Sequence, residues 1–136
     1  MTLEDRKLLL IDLCARLPYG VKYCRESWNY EWDQEMSVVE VLEDIDKEGY
    51  INYHKVYKVW DIKPYLRPMS SMTEEEEKEF NDQMYKAKQY SDDKSYNVYE
   101  VTSLNIDWLN AHHFDYRGLI PMGLALSALE GMYKKE

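Results

Sequence analysis

The sequence predicts an α+β domain: an N-terminal helix, a small twisted antiparallel sheet or partial barrel, and C-terminal helices packed on one side. Three observations predict it. Leu3, Leu9, Leu10, Leu13, Cys14 and Leu17 recur at helical spacing. From Val21 to Trp60 the chain is rich in Val, Tyr and Trp and is interrupted by turn residues, the pattern of short strands. Beyond Thr73, helical spacing returns behind a cap signal. At 136 residues and 45% hydrophobic content, the chain is sized for one domain, residues 1–136, that can bury a core without metals or disulfides.

The first helix is expected over Leu3 to Arg16. Thr2 stands at the N-cap with Asp5 in the first turn, and Leu17-Pro18-Tyr19-Gly20 ends it. Val21 to Arg25 alternates as a strand. In Trp28-Asn29-Tyr30-Glu31-Trp32-Asp33-Gln34-Glu35 the rings fall at 28, 30 and 32 and the acids at 31, 33 and 35. In extended chain this sets rings on one face and carboxylates on the other. Ser37 to Ile45 reads as a strand, Asp46-Lys47-Glu48-Gly49 as a turn, and Tyr50 to His54 and Val56 to Trp60 as further strands.

Lys63 to Pro68, with a proline near each end, is an extended connector. Thr73 with Glu76 forms a capping box, and the acids Glu74 to Glu77 suit the positive end of a helix dipole. That helix should reach about Tyr90, with Phe80, Met84 and Ala87 on its buried stripe. Tyr96 to Val101 alternates as a last strand. A third helix should run from about Asn105 to Phe114, and Leu124 to Leu129 suggests a short fourth.

The net charge of −9 is concentrated. From Glu26 to Glu48 nine acids stand against one base, Lys47. Such a face repels nucleic acid and anionic membrane and favours basic protein surfaces. No apolar run is long enough for a membrane helix and no signal peptide is evident, so a cytoplasmic location is expected. Cys14 and Cys24 lack metal or redox spacing and read as reduced thiols.

The stretch from Asp107 to Ile120 holds two of the three histidines. Neighbours on a helix point about 100° apart, so His112 and His113 do not form the i,i+4 pair that a shared metal favours. His113 with Asp115 imitates a base and its orienting acid, but no nucleophile accompanies them. Asp115 and Arg117 suit an ion pair after a helix end, or a loop that directs Leu119 and Ile120 into the core. No phosphate-binding or dinucleotide motif is present. Lys55, Lys58, Lys63 and Arg67, interleaved with Tyr53, Tyr57, Trp60 and Tyr65, form the one modest basic and aromatic cluster, against the overall charge.

Three blocks carry a resemblance: Leu13 to Lys22, Lys63 to Glu76, and Asp107 to Ile120 with Gly123-Leu124-Ala125 behind it, roughly a third of the chain. Together they resemble a family of small uncharacterised proteins encoded by phages, prophages and mobile elements of gut bacteria. The resemblance implies a context and no chemistry, and carries over no catalytic residue. Tyr23 to Trp60 looks like that family's variable sheet region.

The expected function is a non-enzymatic protein–protein interaction module. Glu31, Asp33, Glu35 and Glu40, backed by Trp28, Tyr30 and Trp32, would meet a basic protein surface of the bacterial host, in the sharpest form as an anti-defence inhibitor. No cofactor is expected. Two alternatives stay open: a hydrolytic or metal-assisted enzyme at His112, His113 and Asp115, and a small-ligand or peptide binder on the Tyr-rich sheet.

Overall fold

The computed structural model describes residues 1–53, 56–89 and 98–133. The class is α+β, as predicted: α1 (Leu3–Arg16), a hairpin of β1 (Lys22–Asn29) and β2 (Gln34–Val41), β3 (Lys63–Leu66), α2 (Glu74–Gln89), α3 (Val98–Ala111) and the two-residue β4 (Leu126–Ser127). The sheet order is β2-β1-β3-β4. Pairing is antiparallel except between β3 and β4, so the sheet is mixed and stays open.

α1 has its expected bounds. Thr2 Oγ1 accepts from the Asp5 amide at 3.0 Å, and Asp5 accepts from the Thr2 amide at 3.1 Å. The buried face differs from the expected stripe, because Leu3 and Cys14 are exposed. Leu9, Asp12, Leu13 and Arg16 are buried instead, so two charged residues lie on the core side.

Among the described residues the expected four-strand meander is not formed, and His54, the end of one expected strand, lies outside them. The second half of the meander holds isolated bridges, Ile45 to Ile51 and Tyr50 to Lys58, and a 3₁₀ turn at Val59–Asp61. Asn52 and Tyr53 have φ of +46° and +61°, and left-handed backbone ends an extended run. The turn before them is as predicted. Asp46 Oδ1 accepts from the amides of Glu48 and Tyr50, each at 2.9 Å. Gly49 takes φ +93°, a backbone conformation that favours glycine, while a Cβ there would lie in ordinary contact with the Trp60 ring at 3.4 Å.

The expected proline connector is β3. Pro64 lies opposite Tyr23, whose own amide and carbonyl turn toward β2, so the proline's missing donor costs no bond to β1. The strand expected at Tyr96 to Val101 is corrected over its described part, because α3 begins at Val98. The short helix expected at Leu124 to Leu129 is corrected too. Gly123 has φ +76° and the Ala128 amide donates to the Leu66 carbonyl at 2.8 Å, which stitches this segment to β3.

Leu9 and Leu13 meet Val21, Tyr23, Leu42, Ile51, Val59 and Leu119 in the main core. Trp108, Leu109 and Phe114 form a second cluster with Phe80 of α2, whose ring lies 5.1 Å from that of Trp108. The expected partners Met84 and Ala87 lie outside the described side chains. Among the described residues no helix is long and apolar enough to cross a membrane.

Candidate functional site

The acidic segment folds as the β1–β2 hairpin, turning at residues 30–33, with Asp33 at φ +50°. β3 reaches β1 only at Tyr23 and Cys24, so both strands run on beyond the rest of the sheet. At the tip Tyr30 is 89% exposed and Trp32 62% exposed. Glu31, Asp33 and Glu35 are exposed beside them. The side chain of Trp28 lies outside the described ones, although its backbone pairs with Glu35.

Glu40 does not join this group. It is half-buried and accepts from Arg25 Nε at 2.9 Å, from Arg25 Nη2 at 2.7 Å and from the Tyr23 hydroxyl. Register explains this: Glu40 lies opposite Tyr23, on the inner face. Burial, then the Glu40 carboxylate, pushes the Tyr23 phenol well above its usual range, and the Glu40 hydrogen bond holds Arg25 protonated. The Tyr23 hydroxyl also accepts from Asn52 Nδ2 at 3.0 Å.

The Asp107 to Ile120 stretch packs against α1, β3 and α2. Asp115 does not pair with Arg117. Its carboxylate accepts from the Leu119 amide at 2.8 Å and the Ile120 amide at 2.9 Å, which fixes the entry of these residues into the core. Arg117 Nε reaches Asp12 at 3.2 Å, and Asp12 is held by Arg16 Nε at 2.7 Å with both side chains fully buried. The Tyr116 hydroxyl donates to Asn110 Oδ1 at 2.8 Å, and the ring lies under both the Arg16 and the Arg117 guanidinium.

The two histidines diverge, but not through helical spacing: the helix expected to reach Phe114 ends at Ala111, and His113 takes a left-handed backbone. His112 packs on the Trp108 ring at 4.0 Å and stands 3.8 Å from Glu76 and 3.7 Å from Glu79. His113 has φ +63°, 8% exposure and a ring stacked 3.7 Å from Tyr133. Its Nδ1 is buried without a hydrogen bond. Burial, with the charges of Arg16, His112, Arg67 and Lys22, lowers its pKa to about 4, so the ring is neutral at pH 7. Arg67 and Glu76 make a two-point ion pair at 2.7 and 2.6 Å, which holds the Glu76 carboxyl down to about 2.

A cleft of about 680 Å³ opens here, lined by Arg67, Glu76, Glu79, His112, His113 and Tyr133 among others. Its serine and threonine hydroxyls serve local backbone: Ser71 donates to the Pro68 carbonyl and Thr73 accepts from the Glu76 amide. Asp115 is committed to two amides, so it does not orient His113. Among the described residues no three His, Cys, Asp or Glu side chains stand where they could hold one metal ion.

Sequence reasoning missed Asp12, Arg16, Arg67, Glu76 and Tyr133 as members of this junction. The i,i+4 spacing of Asp12 and Arg16 between buried leucines was a legible signal. Glu76 was read only as a cap, and it is one, but its carboxylate also binds Arg67.

The basic and aromatic cluster is self-satisfied in part. Lys58 lies over Tyr50 at 4.8 Å and Trp60 at 5.2 Å, Arg25 lies over Tyr57, and Tyr65 is buried. Those rings are covered rather than offered to bases. Set against family models, curated proteins and solved structures, the chain matches none of them.

Proposed function

We propose that this chain is a non-enzymatic protein–protein interaction module whose contact element is the free end of the β1–β2 hairpin. The observation that carries this reading is the overhang past Cys24, with Tyr30 and Trp32 exposed among Glu31, Asp33 and Glu35. Exposed aromatic rings supply contact area at low entropic cost, and a single sign of charge selects and steers a basic partner. The partner is a basic protein of a bacterial host, met in the cytoplasm, and the chain serves a phage or mobile element, in the sharpest form as an inhibitor of host defence. Glu40 is part of the scaffold in this reading, not of the contact.

The test is affinity capture from host lysate at low and high salt, with partner identification. The triple variant Glu31→Gln, Asp33→Asn, Glu35→Gln should bind the captured protein about tenfold more weakly and with a flatter salt dependence, since exposed pairs contribute roughly 0.2–1 kcal/mol each. Unchanged capture by a folded triple variant would end the proposal.

A further inference from the structure

We infer that the outer edge of β2, from Glu35 to Val39, takes an extended basic segment of a partner protein as an added strand. This rests on the hairpin being the contact element and states how the contact is made.

Register decides which backbone groups are free. The Leu42 amide donates to the Val21 carbonyl at 2.8 Å, so pairs on that phase, Tyr23 with Glu40 and Arg25 with Val38, are the hydrogen-bonded ones. The amides and carbonyls of Glu35, Ser37 and Val39 therefore point away from β1. β2 is the last strand in the sheet order, and among the described residues no chain pairs with that side.

The neighbouring edges are partly occupied. On the far side of β1 the Tyr57 hydroxyl donates to the Glu26 carbonyl at 3.1 Å. Farther along β2, Asn52 Nδ2 donates to the Val41 carbonyl at 2.7 Å while its Oδ1 accepts from the Glu43 amide at 2.7 Å. One side-chain amide thus mimics a paired strand and stops the open edge at Val39.

An unpaired edge with alternating side chains is the template that strand-adding peptides use, backbone bonds giving affinity and alternate pockets giving specificity. Here the side chains choose the occupant. On the outer face Glu26 and Glu35 are exposed at one end, while Val39 and Val41 are 46% and 40% exposed at the other. The matching segment places Lys or Arg beside Glu35 and a β-branched residue four positions away, beside Val39. A second copy of this chain would bring the same acidic hairpin alongside, so a foreign basic segment fits better.

The probe is an acetylated, amidated peptide of lysine, threonine and valine with a lysine and a valine four positions apart on one face, titrated against the whole chain. Hydrogen exchange should slow at the Ser37 and Val39 amides of the unsubstituted protein on peptide addition. Val39→Pro deletes an outward amide and no bond to β1, and should weaken binding at least about tenfold, the worth of one or two backbone bonds. Val39→Thr, which keeps that amide, should bind within about threefold of the parent. The triple acid variant should also bind less well. Three results overturn the inference: no binding of the peptide, undiminished binding by Val39→Pro, or a doubled mass in sedimentation that Val39→Pro abolishes, which assigns the edge to a second copy. Undiminished binding by Val39→Pro with weakened binding by the triple variant would leave the hairpin tip as the contact by side chains alone. Weakened binding by Val39→Pro with none lost in the triple variant would instead remove the charge-based reading of function.

Discussion

Arg16 Nη2 donates to the carbonyl oxygen of Phe114 at 2.7 Å, tying the last turn of α1 to the loop after α3 across 98 positions of sequence. The same guanidinium grips Asp12 at two points, Nε at 2.7 Å and Nη2 at 3.1 Å, and neither residue is exposed. A buried pair of this kind is sensitive to losing one member, because the other charge is left without compensation. Asp12→Ala strands both Arg16 and Arg117 and should cost about 3–5 kcal/mol in urea unfolding. Arg16→Met should cost less, since Asp12 keeps Arg117. The double variant Asp12→Leu, Arg16→Met should be less damaged than Asp12→Ala alone. Equal losses for the two single variants would mean that Arg117 does not compensate Asp12.

His113 should set the first acid limb of stability. In the fold its pKa is about 4, below the ordinary 6.5 that the unfolded chain regains. The unfolded state therefore binds the proton first, and the stability that neutral His113 carries is complete above 6.5 and is lost as pH falls toward 4. Between pH 7 and 4.5 the parent should lose on the order of 2 kcal/mol from this group. His113→Phe keeps a ring for Tyr133 and removes the orphaned Nδ1, so its stability should stay nearly flat over that interval. Urea midpoints at several pH values decide it.

A second acid limb belongs to Glu76. Its folded pKa of about 2 lies below its usual 4.5, chiefly because Arg67 binds it. That contribution is whole above 4.5 and disappears as pH falls through 2. Glu76→Gln should lower stability at pH 7 by about 1–3 kcal/mol. At pH 2.5 parent and variant should lie much closer together, whereas an equal gap at both pH values would show that the loss is packing rather than charge.

Tyr133→Phe isolates one oxygen. That hydroxyl accepts from the Lys22 amide at 2.8 Å and donates to the Tyr65 carbonyl at 2.7 Å, joining the start of β1 to β3. Burial raises its pKa to about 12, so it remains a donor at every pH of interest. Removing it should cost about 1–3 kcal/mol and speed exchange of the Lys22 amide, with the His113 stack retained. An unchanged Lys22 exchange rate would show that water replaces the hydroxyl without loss.

α1 was legible to the residue because Thr2, the leucine spacing and Pro18-Gly20 all point the same way. The box between Thr73 and Glu76 was legible for the same reason, and both of its bonds form at 3.1 Å. Val98 to Val101 misled, because Val and Tyr favour strands locally while α3 is held by Trp108 and Leu109 packing far along the chain. Tyr50 to Trp60 misled for the opposite reason: its composition is strand-like, but left-handed Asn52 and Tyr53 break it. At the hairpin, period two assumed extended chain from 28 to 35, whereas residues 30–33 turn, so rings and acids there do not separate onto two faces. It did not locate the turn that exposes Tyr30 and Trp32, nor the register that sends Glu40 inward. The Asp115 loop was read correctly as a scaffold, while Tyr133 was invisible because its partners lie 68 and 111 positions away.

The Arg16–Phe114 contact also bears on how the chain reaches its fold. Local signals start α1 early, yet the inner face of that helix holds a guanidinium that stays in water until the Phe114 carbonyl arrives. Closing so long a loop is slow, and no partly folded form that lacks the loop after α3 can bury α1 without cost. Docking of α1 is therefore bound to completion of the distant turn, and the two should form in one cooperative step rather than as a stable intermediate.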